Sequence, residues 1–254
     1  MANVIKLRKG LDVNLKGKAA KEEFQVKKPA VYALMPDDFT GMKPKVVVKE
    51  NDVVKVGDAL FVDKNHPEIK FVSPVSGRVT MVERGDRRKV LSVRVEADAE
   101  LQYVDFGKKS AGQMTAQEVK ALLLESGLFA FFKQRPYDVT ANPTDTPKAI
   151  FVSAFNSMPL AADFEYVLRG READFQAGLD ALAKMAKTYL GVSSKQTATA
   201  LTAAKNVEIN FFDGPAPAGN VGVQINHISP INKGEVVWTL GAEEVIFIGH
   251  LLNT

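Results

Sequence analysis

Within ten residues, Leu128 to Tyr137, the chain sets Phe129, Phe131 and Phe132 beside Lys133, Arg135 and Tyr137. Aromatic walls with a few convergent polar groups are what a pocket for a flat apolar ligand requires. The same residues also make an ordinary core with a polar rim, the commoner use of aromatic side chains. Helical spacing cannot turn all of them to one face, so part of the segment must be core. Pro136 keeps Arg135 extended, because the residue before a proline avoids the helical region. Phe132, Arg135 and Tyr137 are the candidate ligand-facing residues.

Composition narrows the other chemistries. The 254 residues contain no cysteine, which excludes disulfides, thiolate-held iron–sulfur clusters and cysteine nucleophiles. His66, His227 and His250 are the only histidines, none at a convincing metal-ligand spacing, so no metal site is expected. No catalytic residue is assigned either. Redox chemistry would then use a bound organic molecule or belong to a partner.

Charge is small in sum and uneven along the chain. A net charge of +3 is too little to argue for nucleic acid. Before Pro29, however, Lys6, Arg8, Lys9, Lys16, Lys18, Lys21, Lys27 and Lys28 face only Asp12, Glu22 and Glu23. A second basic cluster is Arg84, Arg87, Arg88 and Lys89. A solvated face is the plain reading; a docking surface for acidic partners or anionic headgroups is the sharper one. Arg84, Arg87 and Arg88 are the candidates for partner docking. No stretch approaches the roughly 20 apolar residues that span a bilayer. No apolar block follows the first basic residues, so no signal peptide is expected and the chain should stay in the cytoplasm.

These residues need elements to position them. From Lys45 to Glu96 short β-rich runs alternate with turn residues such as Gly57-Asp58, Ser76-Gly77 and Gly85-Asp86. A faint internal repeat within this stretch implies a flattened barrel of interlocking strands, as in biotinyl and lipoyl carrier domains, with Gly57, Gly77 and Gly85 at its turns. Val72 to Val79 resembles the second half of those domains. A carrier would present a modified lysine, Lys64 or Lys70, at a hairpin tip. Yet Lys64 lies too far from the Ser73-Pro74 turn for the carrier pattern and Lys70 too close, so a scaffold module is the better reading.

Farther along, Thr115-Ala116-Gln117-Glu118 is a capping box, and Ser126-Gly127 ends the helix that it starts. Lys148 to Phe155 reads as a buried strand. An amphipathic helix follows from about Glu172, with Phe175, Leu179, Leu182, Met185, Ala186 and Tyr189 on one face. A further helix around Thr197 to Lys205 leads into a strand at Val207 to Phe212, and the chain closes on a helix from Ala242. Strand, helix and strand at this spacing predict a mainly parallel sheet. A nucleotide-binding sheet would carry a Gly-rich turn after its strand. Here Asn156-Ser157-Met158-Pro159 stands instead, which disfavours a phosphate cradle. The expected architecture is therefore α+β and multidomain: residues 1–110 hold the barrel-sandwich hybrid module, and residues 111–254 an α/β domain cut short at its end.

Several segments, taken in order, resemble one family. They include Lys9 to Asp12, Gly41 to Pro44, Asp63-Lys64, Phe71 to Gly77 and Arg84 to Arg88. Glu125 to Leu128, Arg135-Pro136, Ala149 to Ala154, Pro159 to Ala162, Asp213 to Pro215 and Val237-Trp238 continue the match. The chain is similar to the A subunit of the bacterial sodium-pumping NADH:quinone reductase. More distantly it is similar to the C subunit of the Rnf complex and the flavin-binding subunit of complex I. The resemblance implies a peripheral subunit on the cytoplasmic side of the cell membrane. It would have no transmembrane segment, would contribute to binding ubiquinone or menaquinone or to assembly, and would continue beyond Thr254. Flavins, NADH and an iron centre would belong to other subunits of the complex, with no cofactor held by this part. Under this reading Phe132, Arg135 and Tyr137 are the expected quinone contacts. The rivals are a lipoyl- or biotinyl-type carrier and a flavoprotein that binds FMN and NADH as in complex I; the acidic residues of the complex I turn are missing at Asn156 to Pro159.

Overall fold

The computed structural model describes residues 4–17 and 20–254. Lys18, part of the basic opening segment, lies outside them. Strand β1 (Val4–Lys6) opens the described chain, and the described residues from Arg8 to Ala30 are exposed.

The barrel has two facing sheets. Four strands run in the order β2 (Val31–Leu34), β8 (Val90–Ala97), β7 (Gly77–Arg84) and β4 (Val53–Val54). Three more run in the order β3 (Pro44–Val46), β5 (Ala59–Asp63) and β6 (Lys70–Val72). The turns are made as the residue types require: Asp52 and Asp58 each accept the backbone N–H three residues back, at 2.7 Å. Leu60, Phe61, Phe71, Val79 and Val93 fill the interior, with the rings of Phe61 and Phe71 stacked at 5.0 Å. No residue from Val46 to Val62 is helical. Gly77 sits within a strand and not at a turn. Its φ is +154°, and a Cβ there would lie 1.8 Å from the Glu96 carbonyl oxygen, so only glycine fits.

Helix α1 (Ala116–Glu125) carries the capping box: Thr115 accepts the Glu118 N–H at 3.3 Å, and the Glu118 carboxylate accepts that of Thr115 at 2.7 Å. A sheet of seven strands follows, built from β9 (Lys133–Arg135), β10 (Val139–Thr140), β11 (Ile150–Ser153), β12 (Thr188–Ser193), β13 (Glu208–Asp213), β14 (Val237–Gly241) and the returning β1. Its order is β1-β13-β12-β11-β14-β9-β10, parallel from β1 to β14 and antiparallel beyond. The opening residues thus belong to the second sheet, although they precede the barrel and were expected with it. The helices among these strands are α2 (Phe164–Val167), α3 (Glu172–Met185), α4 (Thr199–Thr202), α5 (Val221–Ile228) and α6 (Ala242–Asn253).

Two helical expectations run too long. Helix α3 stops at Met185, Ala186 is extended, and Tyr189 belongs to β12, paired with Phe151 of β11. The β-branched and aromatic run Thr188 to Val192 overrides a helical period that had continued by coincidence. Only Thr199–Thr202 is helical in the region expected to be helix up to Lys205.

Candidate functional site

The aromatic segment begins as a tight turn. Gly127 is left-handed, and Leu128–Phe131 form one turn of 3₁₀ helix. In that geometry residues three apart eclipse one another, so Phe129 and Phe132 face the same way. Both are fully buried, stacked at 5.2 Å, with edges against Trp238 at 5.4 and 5.8 Å. The indole N–H donates to the Gln134 amide oxygen at 3.1 Å, which locks the cluster. Phe131 turns the other way and is 39% exposed.

Phe131 stands between two cavities. The larger, about 870 Å³, opens between the barrel and the α/β domain. Leu34, Phe39 and Phe71 line it from the barrel side and Leu128 and Phe131 from the aromatic segment. Tyr103 and Phe106 come from the linker, and Phe247, His250 and Leu251 from α6. The linker is held there because Val104 N–H donates to the Val56 carbonyl, and Val56 N–H to that of Gln102, both at 2.9 Å. The volume suits a ring system of moderate size, and the walls are mainly apolar.

The smaller cavity, about 520 Å³, lies past the carboxyl ends of β11 and β14. Strands β12 and β13 extend the sheet to one side of β11 and β14 to the other, so this is a topological switch point, where open α/β sheets bind ligands. Its lining combines apolar side chains with polar ones of mixed charge: Lys133, Arg135, Asp138, Asn156, Glu243 and Glu244. Arg135 Nε lies 3.2 Å from Asp138 Oδ1, close enough for an ion pair but without hydrogen-bond alignment, and both atoms are buried. Glu244 Oε2 is also buried with no hydrogen-bond partner among the described residues. Burial, and secondarily the charge of Glu243, push the Glu244 carboxyl above its ordinary pKa, while its own backbone N–H and Lys133 pull the other way. The amides here are partly occupied, since Met158 N–H bonds Asn156 Oδ1 at 2.9 Å and Gly219 N–H bonds Ser157 Oγ at 3.0 Å.

The three expected quinone contacts are not brought together. Phe132 is core, Arg135 lines the polar crevice, and Tyr137 is 83% exposed and lines neither cavity. Sequence reasoning named Phe131 in the segment but favoured Phe132 over it; the three-residue spacing of Phe129 and Phe132 marks Phe131 as the outward residue. The docking candidates are displayed. Arg84, Arg87 and Arg88 are exposed at the β7–β8 hairpin, Arg87 and Arg88 with φ of 53° and 61°. Arg84 donates to the Arg88 carbonyl at 3.3 Å, and Lys89 pairs with Asp37 at 2.6 Å. Lys64 is exposed on the loop joining β5 and β6, where its N–H is tied to the Lys43 carbonyl at 2.7 Å. Lys70 is half-buried in β6.

Two family models cover nearly all of this architecture. The NqrA N-terminal barrel-sandwich hybrid domain matches residues 5–98, and the NqrA second alpha/beta domain matches residues 114–254. Among curated relatives, the A subunit of the Na(+)-translocating NADH-quinone reductase of Yersinia pestis bv. Antiqua is 36% identical over 256 residues, 98% of this chain and 57% of its own length. The protein of the same name from Pseudomonas aeruginosa (strain UCBPP-PA14) is 35% identical over 255 residues, with 99% and 57% covered. The chain therefore spans 57% of the length of these relatives.

Proposed function

This chain belongs to the NqrA family, and from that premise we propose that it serves as a quinone-binding, partner-docking part of a Na(+)-translocating NADH-quinone reductase. It works in the assembled complex, on the cytoplasmic side of the membrane, with flavins, NADH and the iron centre on other subunits. One observation carries the quinone reading: the apolar cavity of about 870 Å³ between the barrel and the α/β domain. A quinone headgroup is flat and apolar, with two carbonyl acceptors. Phe131, Phe39, Phe106 and Leu251 offer it walls, and Phe131 comes from the aromatic segment on which the sequence already focuses. Phe132 contributes by holding that segment in place.

The test is a titration of the protein with ubiquinone-1, a soluble short-chain quinone, read by quenching of Trp238, the single tryptophan. Saturable binding that Phe131→Ala weakens supports the reading; no saturable binding overturns it. Docking is read separately. Arg87 and Arg88 form no ion pair among the described residues, so reversing both to Glu should weaken assembly, more at low ionic strength where screening is least. Assembly unchanged across ionic strengths would leave them a solvated surface.

A further inference from the structure

We propose that His250 is the hydrogen-bonding group that orients a quinone-class ligand in the apolar cavity, and that Asp174 is its positioning residue. This rests on the quinone reading above. A ring with two carbonyl oxygens loses its hydrogen bonds to water on entering an apolar space, so at least one must be replaced there. Most polar side chains around the cavity are already committed. Ser73 Oγ donates to the Val75 carbonyl at 2.6 Å, Ser126 Oγ to that of Leu123 at 3.4 Å, and Thr254 Oγ1 to that of His250 at 2.7 Å. Asp105 Oδ1 accepts the Gly107 N–H at 2.8 Å. That leaves two side-chain groups able to donate, His250 Nε2 and the Tyr103 hydroxyl, neither of which has a hydrogen-bond partner among the described residues.

His250 differs from Tyr103 in being held. Its Nδ1 lies 3.3 Å from Asp174 Oδ2, and the other oxygen of Asp174 accepts from Asn253 Nδ2 at 2.7 Å. Helix α3 supplies Asp174 and α6 supplies His250 and Asn253, and the two helices are drawn together by glycine. A Cβ on Gly249 would lie 1.6 Å from the Asp174 carbonyl oxygen, and one on Gly178 would lie 2.1 Å from that of Val245. This close approach at Gly249 sets the carboxylate beside the next residue, His250. With Nδ1 against Asp174, Nε2 is the ring atom without a protein partner among the described residues. A doubly protonated ring donates from Nε2 to a quinone carbonyl; a ring protonated only on Nδ1 accepts from a hydroquinone hydroxyl. One side chain can therefore hold both redox forms of the ligand, which an aliphatic wall cannot do.

The experiment titrates the wild type and four variants with ubiquinone-1 and with its hydroquinone, with melting temperature recorded for each. His250→Leu should weaken both ligands about ten-fold, the size of one hydrogen bond in a largely apolar site. His250→Gln, which can still donate and accept, should recover most of that loss, and Tyr103→Phe should change little. Asp174→Asn should alter the ratio of the two affinities, because it replaces the acceptor that faces Nδ1 with an amide; a merely structural residue would leave that ratio alone. Wild-type binding that His250→Leu leaves intact, or that Tyr103→Phe abolishes instead, overturns this inference while the quinone reading stands. No binding of either ligand by the wild type overturns the quinone reading itself.

Discussion

The cavity between the barrel and the α/β domain and the crevice at the carboxyl ends of the parallel strands share Phe131, yet the first is mainly apolar and the second carries charges of both signs. The first is a meeting of mainly apolar surfaces from four separate parts of the chain: the barrel, the linker, the aromatic segment and α6. The second is made by one sheet, at the position where such sheets generally place a ligand. By topology alone the second would be the expected binding site. Its contents argue otherwise for a quinone: Asp138, Glu243 and Glu244 crowd the space, and Glu244 is held where ionisation is costly. The position of a cavity in a fold and the chemistry of its walls are independent facts, and the proposal rests on the walls.

The largest expected effect separates the two sides of the aromatic segment. Phe132→Ala should cost about 3–5 kcal/mol of stability, since it empties a buried, stacked position. Phe131→Ala should leave the denaturation midpoint nearly unchanged while reducing ubiquinone-1 affinity. Urea unfolding measures the first and ligand titration the second, and similar stability losses in both variants would break the distinction between core and wall. Next in size is Gly249→Ala, which must push α3 and α6 apart. A loss of about 1–3 kcal/mol is expected from overpacking, together with weakened quinone binding; an unchanged melting curve would mean that the helices have room to give.

How much of this was legible beforehand follows from the reach of each signal. Local chemistry could be read: the Thr115 capping box, the short barrel strands and the final helix from Ala242 all depend on residues close in sequence. Long-range pairing could not. Strand β1 pairs with β13 some two hundred residues later, and nothing in Val4 to Lys6 says so. The same limit applied to the site. Donors and aromatics between Phe129 and Tyr137 looked like one set, but a 3₁₀ turn and the strand after it send Phe132, Arg135 and Tyr137 to three different environments. The apolar cavity draws on Leu34, Tyr103 and Leu251, whose nearness exists only in the folded chain.

A smaller effect concerns the polar crevice alone. Glu244 has its folded-state pKa raised by burial, so the folded protein holds this proton more tightly than the unfolded chain does. Its contribution to stability is therefore greatest at acid pH and declines as pH rises from the ordinary carboxylate range through the raised value. Glu244→Gln should abolish that decline, so that the variant gains on the wild type as pH rises from 4 to neutrality. Urea midpoints across this range check it, and parallel curves for both proteins would contradict it. Arg135→Ala should have the least effect on the quinone: it removes a crevice residue and should leave ubiquinone-1 affinity within about two-fold, less than the value of one hydrogen bond.

The central claim is that the apolar cavity, and not the crevice, receives the quinone, and mapping NMR chemical-shift changes as ubiquinone-1 is added tests it most directly. The account predicts that the largest changes fall on Tyr103 to Gly107, Leu128 to Phe131 and Phe247 to Leu251. Changes concentrated instead on Asn156 to Met158, Asn220 and Glu243-Glu244 would contradict it and move the ligand to the head of the parallel sheet.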